Sequence, residues 1–295
     1  MSDNSSEINQ KQIGDYLLLE LVGSGNFANC YTAMHIPTKE RVAIKIIDIQ
    51  KLNSDEISKA RLFSEIAILK KIRHKNIIKL YEEIETPEFL YLVMEYCDSG
   101  ELFDYIVTKE QLNEKQACVF YQDIIDALSY LHSQNISHRD VKPENILLDK
   151  TPKRINCKLI DFGLSKIYEK NQLLETPCGT TYYSPPEVLR NEPYNGLLAD
   201  VWSTGVLLFS MVCGFLPFNE DDEDENIKKI IAGDYYLPEE DISPELADLI
   251  VHLLDIDSST RYTFEQIREH PWFKIVSKKD QLIQIQEDIY LWYPS

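Results

Sequence analysis

One stretch constrains this chain more than any other: His138-Arg139-Asp140-Val141-Lys142-Pro143-Glu144-Asn145. It gathers a carboxylate, an ammonium and an amide at short fixed spacing in a segment that cannot be helix, because Pro143 pushes Lys142 out of the α region. Asp140 can accept a proton, or orient a hydroxyl that is losing one. Asn145 offers a neutral oxygen, a fair ligand for a hard cation such as Mg²⁺. Lys142 brings a positive charge to a place where an anionic group would be transferred. Scattered polar residues of these types would read as a solvated turn, so the rest of the chain has to supply the remainder of a site.

The totals exclude several classes. A chain of 295 residues can build one large domain or two lobes with sizeable cores. A net charge of −19 argues against nucleic acid or an anionic membrane as a general partner, and suits a basic protein or peptide. The six cysteines are scattered without a C-x-x-C pair, which points to a reduced intracellular protein with no disulfide frame or zinc site. A cytoplasmic location is expected, with the nucleus also open to it. No signal peptide is read at the start. The longest apolar stretch, 205–218, is too short for a bilayer and is interrupted by Ser210, so a buried core helix is expected there.

In chain order, 1–15 is polar and reads as a loose tail. Residues 16–21 read as a strand, followed by Val22-Gly23-Ser24-Gly25-Asn26-Phe27-Ala28-Asn29-Cys30. The glycines let the backbone approach an anion closely. This pattern alone is weak, since dinucleotide-binding folds carry it too. Those folds need a helix directly after the glycines and an acid about twenty residues on. Here 30–35 reads as a second strand and 37–40 as a turn. Val42-Ala43-Ile44-Lys45 then stands where the acid should be. A strand bearing a lysine suits a triphosphate, not a ribose. A single such lysine ordinarily snorkels to solvent; two motifs in register reverse that expectation.

Residues 55–72 form a good helix with Arg61, Glu65 and Leu69 on one stripe. Taken alone, Arg61 and Glu65 are a surface ion pair worth little. Strands are expected at 77–83 and 89–95. Residues 114–133 form a helix with Ala117, Phe120, Ile124, Leu128 and Leu131 on its apolar face. Ile146-Leu147-Leu148 and a polar turn at 151–156 lead to Lys158-Leu159-Ile160-Asp161-Phe162-Gly163, which by itself is an ordinary hairpin end. Thr263 to Gln266 is a capping box. The six acids at 220–225 read as a solvated loop ahead of a docking site for a basic partner. Leu282, Ile285 and Ile289 have helical spacing and are expected to pack back on the domain. No calmodulin-binding or EF-hand segment is read, and no internal repeat.

Together these stretches resemble the eukaryotic protein kinases over 16–273, motif by motif and in order. The loop at 138–145 is similar to H-R-D-L-x-x-x-N, with Val141 for Leu. The glycine stretch resembles the Gly-rich loop, Val42 to Lys45 the V-A-I-K strand, and Asp161-Phe162-Gly163 the D-F-G motif. Residues 164–187 resemble an activation segment closing in Ser184-Pro185-Pro186-Glu187, where A-P-E is usual, with Arg261 as the partner of Glu187. Lys142 to Asn145 resembles the serine/threonine kinases. Glu101, Cys178-Gly179-Thr180 and the C-terminal helices resemble the calcium/calmodulin-dependent kinase group, nearest its AMP-activated-kinase-like branch.

The resemblance implies an α+β, two-lobed protein kinase fold. A small antiparallel β-sheet lobe with helix C would span 16–96, and a larger, mostly helical lobe 97–273, with a flexible tail at 1–15 and a short extension at 274–295. It implies ATP and Mg²⁺ as in the general phosphoryl-transfer scheme of that family. ATP would be held by Val22, Gly23, Ser24, Gly25, Asn26, Phe27, Ala28 and Cys30, then Ala43 and Lys45. Met94 would be the gatekeeper, Glu95 and Cys97 the hinge, and Leu147 the pocket floor, with Glu101 and Asp161 completing the set. Asn145 and Asp161 would hold Mg²⁺. Asp140 would orient the substrate hydroxyl and take its proton, and Lys142 would steady the moving phosphoryl group. Lys45, held by Glu65, would position the phosphates, and Thr180 would bond Asp140. Most of the rate would come from positioning and charge stabilisation.

The same resemblance implies regulation and selectivity. Thr176 occupies the activation-loop phosphosite position, with Arg61, Arg139 and Lys166 placed by motif to receive a phosphate. Pro177 suits a proline-directed upstream activating kinase. Glu101 matches the glutamate that reads a basic residue three positions before the phosphoacceptor, so the expected partners are protein substrates with a basic residue before Ser/Thr, with no nucleic acid and no membrane. Glu144 would add selection, and Ser210 stands where some relatives place a further acid. Ala28 replaces the third glycine and Cys30 the valine that covers adenine; both are small and compatible with ATP, in a stiffer loop. A pseudokinase scaffold would have lost Lys45, Asp140 or Asp161, and none is lost. A nucleotide-dependent oxidoreductase would rest on Gly23 and Gly25 alone.

Overall fold

Along the first long strand the apolar residues alternate, so Tyr16 and Leu18 turn inward while Leu17 and Leu19 stay half-buried. The computed structural model describes residues 12–275 except 26, 53, 54, 153, 170 and 171. The tail at 1–11 and the apolar spacing of Leu282, Ile285 and Ile289 lie outside the described residues. The chain divides into two units, Met1–Arg73 with Ile78–Tyr96, and His74–Ile77 with Cys97–Ser295.

The first unit is an antiparallel sheet of β1 (Gln12–Ile13), β2 (Tyr16–Ser24), β3 (Ala28–His35), β4 (Arg41–Asp48), β5 (Leu80–Glu85) and β6 (Phe89–Glu95), in the order β1-β2-β3-β4-β6-β5. Ile13, Tyr16, Leu18, Ala33, Val42, Ile44, Tyr91 and Val93 form its core on one face. Gln12 and Ile13, expected in the tail, instead pair with Leu17 and Tyr16, and burying Ile13 holds them there. The Tyr16 hydroxyl bonds Glu82 of β5, linking strands far apart in the sheet order. After α1 (Ile49–Leu52) comes α2 (Glu56–Lys71). Asp55 caps α2 by accepting from the amides of Ile57 and Ser58, as a short acid at an N-cap should. The buried side of α2 carries Leu62, Glu65, Ile66, Ile68 and Leu69. A charged residue in that apolar stripe must have a partner.

The strand expected from 77 begins at Leu80. Ile77 bridges Leu159 instead, the Asn76 carbonyl accepts from the Leu159 amide at 2.9 Å, and Asn76 Nδ2 donates to the Cys157 carbonyl at 2.9 Å. These bonds assign 74–77 to the second unit.

The second unit is mostly helical: α3 (Leu102–Lys109), α4 (Glu114–Ser133), α5 (Pro186–Leu189), α6 (Gly196–Cys213), α7 (Glu223–Ala232), α8 (Pro244–Leu253) and α9 (Phe264–Glu269). Two small antiparallel ribbons join β7 (Ile136–Ser137) to β10 (Lys166–Ile167), and β8 (Ile146–Lys150) to β9 (Ile155–Leu159). The apolar residues expected on one face of α4 are buried, and Asn113 caps it through the Gln116 amide. By length and composition α6 could cross a membrane, yet 83% of it is buried inside the protein. It starts well before the apolar stretch at 205. Tyr121 of α4 donates its buried hydroxyl to Thr204 of α6 at 3.0 Å. Gly205 lets α8 approach closely, since a Cβ there would lie 2.8 Å from the Leu253 Cβ. This is the core helix that the composition called for.

The acidic run at 220–225 faces solvent as expected at 221–225, but only its first half is loop and the rest is helix. Asp222 caps α7 through the Glu225 amide at 2.9 Å, and Glu223, Asp224 and Glu225 make its first turn. Negative charge at a helix N-terminus complements unpaired amides and the macrodipole, so acids that look unstructured in isolation stabilise a helix start. Thr263 and Gln266 form the expected capping box on α9. The antiparallel sheet with α2 and the mainly helical second unit match the two lobes expected from the sequence.

Candidate active site

In the first unit, β2 runs on to Ser24, past the Leu21 expected from the sequence, because Gly23 and Ser24 pair with Cys30 and Asn29. The tip is closed by the Gly25 amide on the Ala28 carbonyl at 2.8 Å and by the Ser24 hydroxyl on Asn29 at 2.8 Å. Val22 is exposed and Phe27 half-buried; Asn26 lies outside the described residues. Cys30 stands directly opposite Lys45, and Ala43 opposite Met94. Opposed residues share a face, as do alternate residues of one strand. Cys30, Ala43, Lys45 and Met94 therefore lie together on the face turned away from the Ile44 core.

Lys45 does not snorkel to solvent. Its Nζ contacts both Glu65 oxygens, at 2.9 and 3.2 Å, and Glu65 is 7% exposed. This answers the requirement set by the buried stripe of α2, and Arg61 stays exposed one turn earlier. Burial pushes the Cys30 thiol above its ordinary range, while the Lys45 charge pulls it partly back. Glu95 ends β6 with its amide on the Lys79 carbonyl at 2.9 Å, and the first unit stops one residue later.

In the second unit, Lys142 is extended at φ −159° and ψ 162°, as Pro143 demands, and Pro143–Asn145 then makes a single 3-10 turn. That turn brings the Asn145 amide to Asp140, donating to its carbonyl and its Oδ2, both at 2.8 Å. Lys142 Nζ also reaches Asp140 Oδ2 at 2.9 Å. Thr180 donates to Asp140 Oδ1 at 3.0 Å, and Lys142 donates to Thr180 at 2.8 Å. Three residues from two separate stretches thus fix one carboxylate.

Two further bonds support the loop, and a third holds the residue that makes them. Asp200 on α6, fully buried, accepts from the backbone amides of His138 at 2.8 Å and Arg139 at 2.7 Å, and from His132 Nε2 at 2.8 Å. Arg139 adopts φ +68°, a conformation costly for a residue with a side chain. Asp200 stabilises it by binding its amide. Gly179 must be glycine: its φ is +103°, and a Cβ there would lie 2.7 Å from the Arg139 carbonyl oxygen. Asp200 was not singled out from the sequence; it lies five residues before the apolar stretch at 205–218, in what proves to be the same helix. An acid inside such a helix was the available signal.

Asp161 is exposed, has φ +60°, and accepts from the Gly163 amide at 3.0 Å. The Ile160 amide donates to the Asn145 carbonyl at 2.9 Å, and His138 Nε2 meets the Ile160 carbonyl at 3.0 Å. Asn145 and Asp161 are thereby tied to one loop pair. With Asn145 Nδ2 committed to Asp140, its oxygen is the end that can face a cation, and Asp161 adds a carboxylate. Hard oxygen donors in small number suit Mg²⁺, which completes its shell with water and phosphate. Among the described residues no group of three or more His, Cys, Asp and Glu could hold a metal alone.

Leu147 pairs with Glu101 across an isolated bridge, and Glu101 precedes α3 without a side-chain cap bond. Burial raises the Glu101 pKa above the usual carboxylate range, and the charges of Asp104 and Glu144 raise it further. One carboxylate oxygen of Glu144 is buried without a hydrogen-bond partner among the described residues. Cys97 begins the longer segment of the second unit.

Thr176 and Lys166 are exposed, and Arg139 points its Nε to the Leu164 carbonyl at 2.7 Å. Glu187 and Arg261 form a buried, two-pronged pair at 2.8 and 3.0 Å, and Arg261 lies over the Trp202 ring. That pair anchors the end of the 164–187 segment.

The family model for the protein kinase domain matches residues 16–273. The chain is 42% identical over 260 residues to the maternal embryonic leucine zipper kinase of Xenopus laevis, and equally to that of Xenopus tropicalis. Each alignment takes in 87% of this chain and 39% of the relative, so the chain spans well under half the length of these curated relatives.

Proposed function

The chain belongs to the protein kinase family as a serine/threonine kinase domain of the calcium/calmodulin-dependent, AMP-activated-kinase-like kind, and from that premise we propose that it transfers the γ-phosphoryl group of ATP to Ser or Thr hydroxyls of basic protein substrates. One observation carries the reading: the Asp140 carboxylate is fixed by Asn145, Lys142 and Thr180 at once.

Asp140 receives the substrate hydroxyl, orients it and takes its proton as the new O–P bond forms. Thr180 holds one carboxylate oxygen and leaves the group facing the substrate. Lys142, shared between Asp140 and Thr180, supplies positive charge to the phosphoryl oxygens in transit. Lys45, kept in place by Glu65, binds the phosphates that stay behind, and the Gly23–Gly25 backbone covers them. Asn145 and Asp161 would hold Mg²⁺, whose charge, when bound, neutralises the phosphate oxygens. Substrate selection falls to Glu101, Asp104 and Glu144, whose mutual repulsion a cationic side chain relieves. Phosphorylation at Thr176 by an upstream kinase switches the enzyme on, and the protein works in the cytoplasm with access to the nucleus.

The test is radiolabel transfer from γ-labelled ATP to an arrayed peptide library, with and without Mg²⁺. The expected result is Mg²⁺-dependent labelling of Ser and Thr peptides with Arg or Lys three positions earlier. Labelling restricted to acidic or proline-directed peptides sinks the selectivity, and no labelling at all sinks the activity.

A further inference from the structure

Tyr194 lies in the loop between α5 and α6 and belongs to none of the motifs. It is 3% exposed and packs with Leu174, Val188 and Ala199. Its backbone pairs with Leu174 in both directions, at 2.8 and 2.9 Å. Any large apolar ring would serve that packing, but a buried hydroxyl needs polar partners. The Tyr194 hydroxyl donates to the Thr176 carbonyl at 3.1 Å and accepts from Arg139 Nη1 at 3.4 Å. Burial pushes its pKa above the usual phenol range, with Arg139 opposing, so the group remains a donor. One hydroxyl therefore joins the exposed Thr176 to the residue next to Asp140. Its partners are held from elsewhere: Arg139 through Leu164 and Asp200, Thr176 through the pairing of Leu174 two residues earlier.

We propose that Tyr194 is a positioning residue whose hydroxyl registers the Thr176 turn on Arg139 while the chain is unphosphorylated. The idea rests on the reading of Thr176 as the activating phosphosite. Before phosphorylation, no acid among the described residues of the segment pairs with Arg139, and a neutral bond to Tyr194 sets both its orientation and the path of 174–178. A phosphate on Thr176 would meet an already oriented guanidinium, and that charge-assisted contact is the stronger one. The hydroxyl then becomes redundant. The signature is a dependence on Tyr194 that vanishes on phosphorylation, which a packing role does not produce.

The experiment compares the chain with Tyr194→Phe in two states. In one, Thr176→Val blocks phosphorylation but keeps the carbonyl; in the other, Thr176 is fully phosphorylated. Peptide kcat, KM and melting temperature are measured in each. The expected result is a roughly tenfold loss of kcat from Tyr194→Phe in the unphosphorylable chain, the size of one lost bond to a charged network, with KM steady. In the phosphorylated chain the loss shrinks to about twofold or less, so the two changes are non-additive. Equal losses in both states, or none in the unphosphorylable chain, overturn the proposal. If phosphorylation leaves the activity of the parent chain unchanged, the Thr176 reading falls by itself, and the Thr176→Val comparison still decides for or against Tyr194.

Discussion

Lys45 and Glu65 stand twenty positions apart and meet at 2.9 Å, the lysine from β4 and the glutamate from the buried side of α2. The pair satisfies a buried charge and, on the proposed function, also positions phosphate; the two roles can be separated. Lys45→Met leaves Glu65 buried without its cation. Breaking a fully buried pair costs about 3–5 kcal/mol, and less here because Lys45 is 29% exposed. Lys45→Met should lower the melting temperature and remove phosphoryl transfer. Adding Glu65→Leu should restore the melting temperature and leave transfer absent. If the double variant regains turnover, Lys45 has no role toward phosphate.

Asp140→Asn should keep the ATP affinity and lower the transfer rate by about 10²–10⁴-fold, the usual effect of losing a general base. Shape is conserved, so the contacts to Thr180 and Asn145 can re-form, and the lost quantity is the proton acceptor. Nucleotide binding by fluorescence, alongside single-turnover transfer at saturating ATP and Mg²⁺, separates the two effects. Wild-type turnover in the variant would remove Asp140 from the chemistry.

Local patterns carried most of the fold. The caps at Asp55 and Asn113, the capping box at Thr263 and the apolar face of α4 are all set by residues within a turn or two of each other. The readings that changed depended on distant partners. Ile77 looked like the start of a strand because its apolar neighbours permit one, and its actual partner is Leu159. The acids at 220–225 lacked periodicity, so their role as helix cap was hidden until the chain bent at Asp222. In the site, Asp140, Lys142 and Asn145 were legible because motif spacing encodes them. Asp200 and Tyr194 were not, since their bonds run to the backbone of residues many positions away and leave no pattern in their own neighbourhood.

Cys30 faces the same side of the sheet as Ala43 and Lys45, and burial has raised its thiol pKa. The reactive species is the thiolate, so alkylation by an iodoacetamide probe should be slow near neutrality and climb about tenfold per pH unit below the pKa. Lys45→Met removes the charge that opposes the shift and should slow labelling at pH values below the thiol pKa. Saturating ATP should protect the thiol. Mass spectrometry of the Cys30 peptide reads all three. Labelling that ATP leaves unchanged would place Cys30 away from the nucleotide.

Glu101 offers a pH test of substrate selection. Burial, then the charges of Asp104 and Glu144, hold its pKa above the usual carboxylate range, so it takes up a proton earlier than an ordinary glutamate as pH falls. A cationic side chain bound beside it favours the ionised form, and binding releases that proton. The KM for a peptide with Arg three positions before the acceptor should therefore rise as pH falls through the titration of Glu101. The KM for the same peptide with Ala at that position should stay flat. Glu101→Gln should raise the Arg-peptide KM roughly tenfold at neutral pH, between the worth of an exposed pair and of a charged hydrogen bond, and should flatten the profile. Glu144→Gln should act in the same direction, because its buried oxygen has no hydrogen-bond partner among the described residues. A flat Arg-peptide profile in the unaltered chain, together with an unchanged KM in Glu101→Gln, would remove this carboxylate from substrate recognition.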